Sequence, residues 1–163
     1  MIEEIIVSPD ILEDLDEEKI RKISKELNLK IEKVKNCIRA DGEPLDILKL
    51  RRIIFALSRK FDFSSSILLA KDDYTIEEIN IRDYTKSRNR MRELRGRVIG
   101  EKGRAKRRIE EITNTKITIC GKTVNIIGRL DDILVARKAI EMLLEGKKHA
   151  TVYKFLEKII STI

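Results

Sequence analysis

The sequence predicts an α+β protein in which one β-α-α-β-β-α unit occurs twice in tandem and is followed by a C-terminal helix. The chain repeats itself when it is shifted by 86 positions without a gap. In that register Asp46-Ile47-Leu48 falls on Asp132-Ile133-Leu134, and Gly42 falls on Gly128. Each copy also carries the same succession of strand-like and helix-like hydrophobic patterns. The two copies therefore agree in predicted secondary structure as well as in residue identity.

The second copy shows these patterns most clearly. Residues 76–81 alternate apolar and polar side chains as a half-buried strand does, and Gly121-Lys122 separates two further alternating runs as a hairpin turn does. Gly146 supplies the stop signal of the last helix. The predicted strands are 76–81, 116–120 and 123–127, and the predicted helices are 85–94, 104–112 and 130–144.

The first copy follows the same order, with a turn predicted at Asp41-Gly42-Glu43-Pro44 before its last helix. Its predicted strands lie near 2–7, 29–34 and 37–40, and its predicted helices lie near 16–27 and 44–61. We therefore expect a first module at 1–63, a serine-containing linker at 64–75, a second module at 76–146 and a C-terminal helix at 147–163. The C-terminal helix is amphipathic and is expected either to dock on the second module or to bind a partner.

The charge of the chain is unevenly distributed. Residues 1–80 contain 14 Lys and Arg against 18 Asp and Glu, whereas residues 81–163 contain 21 against 10. The two halves therefore carry about −4 and +11. This asymmetry indicates that the second half meets a polyanion, the alternative being a solvated charged surface without a specific ligand.

The residue inventory argues against an enzyme, a metal protein or a membrane protein. His149 is the only histidine, and Cys37 and Cys120 are the only cysteines and lie far apart in sequence, so no metal-ligand or nucleophile–base spacing occurs. No Walker A or HExxH pattern is present, and no apolar run approaches the roughly 20 residues of a membrane span. We expect a non-enzymatic, cytoplasmic protein without cofactor or metal.

The chemistry-bearing motif of the second copy is Gly100-Glu101-Lys102-Gly103, between two predicted helices. Glycines permit a tight turn and let a phosphodiester backbone approach bare main chain, because no Cβ is in the way. The helix that follows adds free N–H groups and partial positive charge, which favour an anion, and isoleucines would form an apolar floor for unstacked bases. The candidate RNA-binding residues are Arg95, Arg97, Val98, Ile99, Gly100, Glu101, Lys102, Gly103, Arg104, Lys106, Arg107, Lys116, Ile117 and Ile119.

The first copy has lost this motif, because Asp14-Leu15-Asp16-Glu17 stands at the place of the glycines. Carboxylates there would repel a phosphate, and the side chains would crowd it. The acidic residues instead suit a helix N-terminus, where they cap free N–H groups and complement the helix dipole. The first copy is therefore expected not to bind RNA by this route.

The run from Val98 to Gly103, followed by Ile109 and Lys116-Ile117, resembles the signature of the KH family of RNA-binding domains. The resemblance implies two tandem type I KH domains, of which the first is degenerate. Lys106 departs from the general KH pattern, which usually has an apolar residue at that place.

The longer run Gly96 to Lys106, preceded by Asp83-Tyr84 and by a degenerate first module, resembles the KH-domain family of small-subunit ribosome assembly factors called Partner of Nob, or Dim two, in its archaeal branch. That resemblance implies binding near the 3′ end of 16S rRNA or its precursor and assistance in its maturation. The partners it implies are a PIN-domain rRNA endonuclease and, further, the α subunit of translation initiation factor 2.

Two other hypotheses about the function stay open at this point. One is another KH RNA-binding protein, such as an exosome-associated or translation-linked factor. The other is a protein-interaction scaffold whose KH fold no longer binds RNA. The intact glycines beside dense cations favour RNA binding over the scaffold.

Overall fold

The computed structural model describes residues 1–162 and divides into two compact units, the first comprising Met1–Tyr74 and the second beginning at Thr75. Each unit contains a three-stranded sheet, and the strand orders are β1-β3-β2 and β4-β6-β5. The predicted α+β class and the β-α-α-β-β-α order are both confirmed. Among residues 1–162 no helix is long and apolar enough to cross a membrane.

The first unit consists of three strands and four α-helices. Its elements are β1 (Ile2–Ile6), α1 (Pro9–Asp14), α2 (Glu17–Leu27), β2 (Lys30–Val34), β3 (Cys37–Asp41), α3 (Pro44–Ser58), α4 (Phe63–Ser66) and a 3-10 helix (Ile67–Ala70). Both neighbouring strand pairs are antiparallel, with Ile5 opposite Ile38 and Ile31 opposite Ala40.

The second unit repeats this order and adds a helix at its C-terminal end. Its elements are β4 (Tyr74–Asn80), a 3-10 turn (Ile81–Asp83), α5 (Arg88–Ile99), a 3-10 turn (Glu101–Gly103), α6 (Arg104–Thr113), β5 (Lys116–Cys120), β6 (Thr123–Arg129), α7 (Leu130–Leu144) and α8 (His149–Ser161). The strands β5 and β6 form the expected antiparallel hairpin.

The repeat register of the sequence is a structural register. A shift of 86 positions carries β2 onto β5 and α3 onto α7 with identical bounds. The helices α2 and α6 both end at an asparagine, Asn28 or Asn114, in the left-handed conformation that commonly terminates a helix. The two copies differ chiefly ahead of this region, where α1 has 6 residues and α5 has 12.

Helices α1 and α5 depart from the sequence expectation, and α3, expected to reach residue 61, ends at Ser58. The expectation does not include α1, because six residues are too few for a helical period to stand out. Ser8 followed by Pro9 is nevertheless the signature of a helix start. The helix expected at 85–94 begins instead at Arg88 after the cap Ser87, whose hydroxyl accepts from the Arg90 N–H, and it continues through Gly96 to Ile99.

Residues 64–75, expected as a linker, instead form α4 and the 3-10 helix as part of the first unit, and the last of them begin β4. Ser66 and Leu69 are fully buried there. The Asp62 carboxylate caps α4 by accepting from the Ser65 N–H at 2.8 Å, and the Ser66 hydroxyl donates to the Asp62 carbonyl. Serines after an aspartate thus mark a capped helix here, and the unit boundary falls between Tyr74 and Thr75.

The C-terminal helix docks within the second unit. It packs on α6 and α7 and buries Val152 and Leu156 completely. Each fully buried aliphatic side chain contributes about 1.5–3 kcal/mol of transfer free energy, so the docking is a firm part of this unit. Helix α7 supplies the facing surface, since Ile140 and Leu143 are also fully buried.

Acidic residues at the start of α2 stand where the second unit has its glycine motif, and their role as a helix cap can be tested. The Asp16 carboxylate accepts a hydrogen bond from the Lys19 N–H at 2.9 Å. We expect Asp16→Ala to lower the free energy of unfolding by about 1 kcal/mol, because a helix N–H loses its partner. Urea unfolding followed by circular dichroism measures this, with Glu18→Ala as the control that removes a first-turn carboxylate but no cap. Equal effects of the two changes would contradict the capping role.

Candidate nucleic-acid interface

The segment Gly100–Gly103, called the glycine loop below, joins α5 to α6 in a single tight turn. The Gly103 N–H donates to the Gly100 carbonyl at 3.1 Å. Lys102 and Gly103 both have positive φ angles, of 55° and 76°. The loop therefore turns the chain sharply immediately before α6 begins at Arg104.

The two glycines are required to different degrees. Gly100 has φ 75° and ψ 171°, a combination that is essentially restricted to glycine, and a Cβ there would lie 2.6 Å from the backbone nitrogen of Ala105. At Gly103 a Cβ would approach only the guanidinium end of Arg107, at 3.1 Å. Gly100 is thus needed to form the turn, whereas Gly103 keeps its outer surface bare.

Exposed cations surround the glycine loop. Lys102, Arg104 and Arg107 are exposed, and the ten-residue helix α6 begins at the same place without a side-chain cap. Between residues 86 and 108 the chain contains 11 Lys and Arg against two Glu. A site of this composition attracts a phosphate through both the helix dipole and the side-chain charges.

Strand β5 offers an open edge beside this loop. It lies at the edge of its sheet, and the Ile117 N–H donates to the Glu110 carboxylate at 2.9 Å rather than to another strand. Because backbone groups alternate in direction along an antiparallel strand, the N–H and carbonyl of Ile119 face the same open side. The chain reverses direction at Asn114, so β5 runs antiparallel to α6. Ile119 is therefore nearer than Ile117 to the start of α6 and to the glycine loop.

Two of the three isoleucines that were expected to form the apolar floor remain accessible to a base. Ile99 and Ile119 are half-buried, but Ile117 is only 2% exposed and belongs to the core of the unit. Val98, also expected at the interface, is completely buried. Val98 points inward because helix geometry directs neighbouring side chains to different faces. Ile117 and Ile119 lie on the same face of β5, and Ile119 is the less buried of the two.

The sequence predicts Arg97 at the interface, but in the structure its guanidinium binds backbone carbonyls at the end of α7. Its Nε donates to the Leu143 carbonyl at 3.0 Å, and its terminal nitrogen donates to the Lys147 carbonyl, so it ties the end of α5 to the end of α7. The His149 Nε2–H in turn donates to the Arg97 carbonyl at 2.8 Å. These contacts fix the helix that enters the glycine loop.

The remaining expected residues are accessible to different extents. Arg95 is half-buried, and its Nε is a buried donor without a hydrogen-bond partner among residues 1–162. Lys116 is exposed at the start of β5. Glu101 is exposed within the loop and is its one acidic side chain.

Glu110 belongs to this surface but is not among the residues that the sequence singles out. Its carboxylate bonds both the Ile117 N–H and the Lys106 ammonium, the latter at 3.3 Å. The spacing of Lys106 and Glu110 by four residues was the available signal, since such pairs face each other on a helix.

The described residues hold no cluster of three or more His, Cys, Asp or Glu side chains that could bind a metal ion. The neighbouring Asp131 and Asp132 stand in the first turn of α7, where burial chiefly, and the charge of Asp131 in addition, raises the pKa of Asp132. This placement suits a helix start.

Comparison with known proteins identifies the family. A family model for the second KH domain of PNO1, described as a eukaryotic type KH-domain (KH-domain type I), matches residues 75–161. Dim2p from Pyrococcus horikoshii has the same fold with a TM-score of 0.81 and 30% sequence identity, over 97% of this chain and 99% of that chain. The chain belongs to the PNO1/Dim2 family of KH-domain proteins.

Two further relatives and one solved complex extend the comparison. A KH domain-containing protein of Methanocaldococcus jannaschii is 40% identical over 147 residues, and the pre-rRNA-processing protein pno1 of Aspergillus fumigatus is 35% identical over 109 residues. The matches cover 83% and 65% of this chain but only 63% and 43% of those relatives. The Pyrococcus horikoshii a/eIF2alpha-aDim2p-rRNA complex contains a chain with a TM-score of 0.83 and 29% identity, covering 100% of this chain and 96% of that chain.

The unequal roles of the two glycines in the PNO1/Dim2 loop can be measured. We expect Gly100→Ala to lower the free energy of unfolding by about 3 kcal/mol, because its Cβ meets backbone atoms and its backbone angles exclude alanine. We expect Gly103→Ala to lower it by about 1 kcal/mol, the cost of a left-handed alanine. Urea unfolding measures both changes. A smaller effect at Gly100 than at Gly103 would contradict the geometry.

The structural role of Arg97 predicts a second difference. We expect Arg97→Gln to lower the free energy of unfolding by about 1–2 kcal/mol, because the carbonyls of Leu143 and Lys147 lose a charged donor. The matched change Arg104→Gln removes an exposed guanidinium and is expected to stay within about 0.5 kcal/mol of the parent protein. Thermal unfolding of both variants tests this, and the assignment is wrong if Arg104→Gln is the more damaging change.

Proposed function

We propose that this chain is a single-stranded RNA-binding factor of small-subunit ribosome assembly, and that the glycine loop of its second unit grips the RNA backbone. One observation carries the proposal: the glycine loop, whose outer surface is bare at Gly103, lies at the N-terminus of α6 among exposed cations. A phosphate would accept hydrogen bonds from the free N–H groups there. Pre-rRNA processing among the relatives supports the same assignment.

The RNA lies, in this proposal, between the glycine loop and the open edge of β5. Its phosphates contact Lys102, Arg104 and Arg107, and its bases cross Ile99 and Ile119 toward the free backbone groups of the edge strand. Single-stranded RNA fits because its unstacked bases can reach the edge of β5. The bases of a duplex are paired and stacked and cannot do so. We assign its target to the 3′ end region of 16S rRNA or its precursor.

The first unit takes no part in this grip. Its helix α2 starts from the capping carboxylate of Asp16, with Glu17 and Glu18 in the first turn, where the second unit has its glycine loop. A phosphate there would meet negative charge rather than free N–H groups. The first unit therefore has a structural or partner-binding role in the proposal.

The proposed partners are proteins of the same maturation step. A PIN-domain endonuclease would cut the RNA that this chain holds, so this chain has no catalytic role in the proposal. We further propose that it acts in the cytoplasm. Contact with the α subunit of initiation factor 2 is proposed as well, supported by the complex in which a related chain occurs with a/eIF2alpha and rRNA.

The proposal predicts a charge-specific loss of RNA binding at Gly103. We expect Gly103→Asp to weaken binding of a fluorescent single-stranded RNA with the 16S 3′-end sequence by at least about tenfold, because a carboxylate faces the phosphate. The matched Gly103→Asn variant has nearly the same shape, tolerates the left-handed conformation and lacks the charge, so it should bind more tightly than Gly103→Asp. Anisotropy titrations at two salt concentrations, with unfolding midpoints as a check on folding, measure the difference.

A scrambled RNA of equal length completes this experiment. If the parent protein prefers the 3′-end sequence and Gly103→Asp loses that preference, the second unit is the working site. If every protein binds both RNAs equally and salt abolishes the binding, the basic surface is nonspecific and the proposal fails.

A further inference from the structure

The α6 side of the groove between α6 and β5 carries an ion pair where uncharged side chains would suffice for the fold. The Lys106 ammonium and the Glu110 carboxylate are paired at 3.3 Å, with side chains 31% and 19% exposed. The other carboxylate oxygen accepts from the Ile117 N–H at 2.9 Å. Three groups from two elements thus hold the pair in one position beside the open strand edge.

The first unit shows that the fold does not need this pair. In the repeat register Ile20 stands at the place of Lys106, and Ser24 stands at the place of Glu110. Ser24 donates its hydroxyl to the Leu29 carbonyl, yet α2 and β2 keep the same bounds relative to α6 and β5, apart from one residue at the helix start. The fold therefore forms without this pair, and a partly buried ion pair adds little net stability, so a role in binding a ligand can be asked of it.

The position of the pair is suited to a base rather than to a phosphate. Lys106 is three residues after Gly103, less than one helical turn of about 5.4 Å from the loop. A nucleotide whose phosphate lies on the glycine loop would therefore extend its base over Lys106 and Glu110. On the proposed RNA-binding function of this groove, we propose that Lys106 and Glu110 form a subsite that selects guanine.

Guanine is the base whose hydrogen-bonding edge matches the pair. Its edge presents one acceptor, O6, followed by two donors, N1–H and N2–H2. The ammonium donates to the acceptor, and the carboxylate, whose oxygens each keep a free acceptor site, takes the two donors. Adenine, cytosine and uracil each offer this carboxylate only one donor group on that edge, so their match is poorer.

The subsite is tested with single-stranded oligouridine that carries one central guanine, adenine, cytosine or inosine. The parent protein should bind the guanine RNA about tenfold or more tightly than the adenine RNA, and inosine, which lacks the N2 amine, should fall between them. The measured quantity is the ratio of the two dissociation constants, which a merely structural change that weakens all RNAs alike would not alter.

Three variants assign the preference to the pair. Glu110→Gln and the double variant Lys106→Ile/Glu110→Ser, which copies the first unit, should reduce the guanine-to-adenine ratio to about one. Glu111→Gln makes the same charge change one position away on the exposed side of α6 and should keep the full ratio. A parent protein that binds RNA without preferring guanine overturns the subsite, as does a Glu110→Gln variant that keeps the preference.

The same titrations separate this inference from the proposed function. If Gly103→Asp abolishes binding while guanine and adenine RNAs bind the parent equally, the groove binds RNA and the guanine subsite is wrong. If the parent binds none of these RNAs, nor the 3′-end RNA, both the proposed function and the subsite are wrong.

Discussion

The second unit depends on the close approach of Gly100 to the backbone of Ala105. Because no side chain fits between them, α5 can end and α6 can begin within four residues, and no side chain caps the N-terminus of α6. Contacts outside the loop hold this turn in place, since Arg97 binds the end of α7 and His149 donates to the Arg97 carbonyl. The proposed anion site is therefore built on helices that these contacts hold in place.

The two units separate what the fold requires from what the proposed RNA binding requires. Strands, hairpin and final helix keep one register in both, although the first unit has a capped helix start where the second has the glycine loop. The hydrophobic core can thus form without the loop. Residues that differ at matching places, such as Ile20 and Lys106, are then the ones to examine for binding, because packing alone does not explain the difference.

Most of the fold could be predicted because hydrophobic period and repeat register agree along the chain. The failures have local causes: α1 is too short to show a period, and Asp62 turns a serine-rich stretch into a capped helix. The site was predictable at its glycines, because a Gly-x-x-Gly run between two helices marks a tight turn and Gly100 has backbone angles that only glycine adopts readily. It was less predictable at Arg97 and Ile117, because nearness to a motif in sequence does not tell which way a side chain points.

By itself, the sequence determined the repeated unit, the loss of the glycine motif in the first copy and the concentration of positive charge in the second half, since each is a property of residue order. Tertiary structure alone decided which cations are exposed, that Val98 and Ile117 belong to the core, and that Glu110 reaches the strand edge. The reason is physical: these outcomes depend on contacts between elements that are distant along the chain, and local propensity carries no information about such contacts.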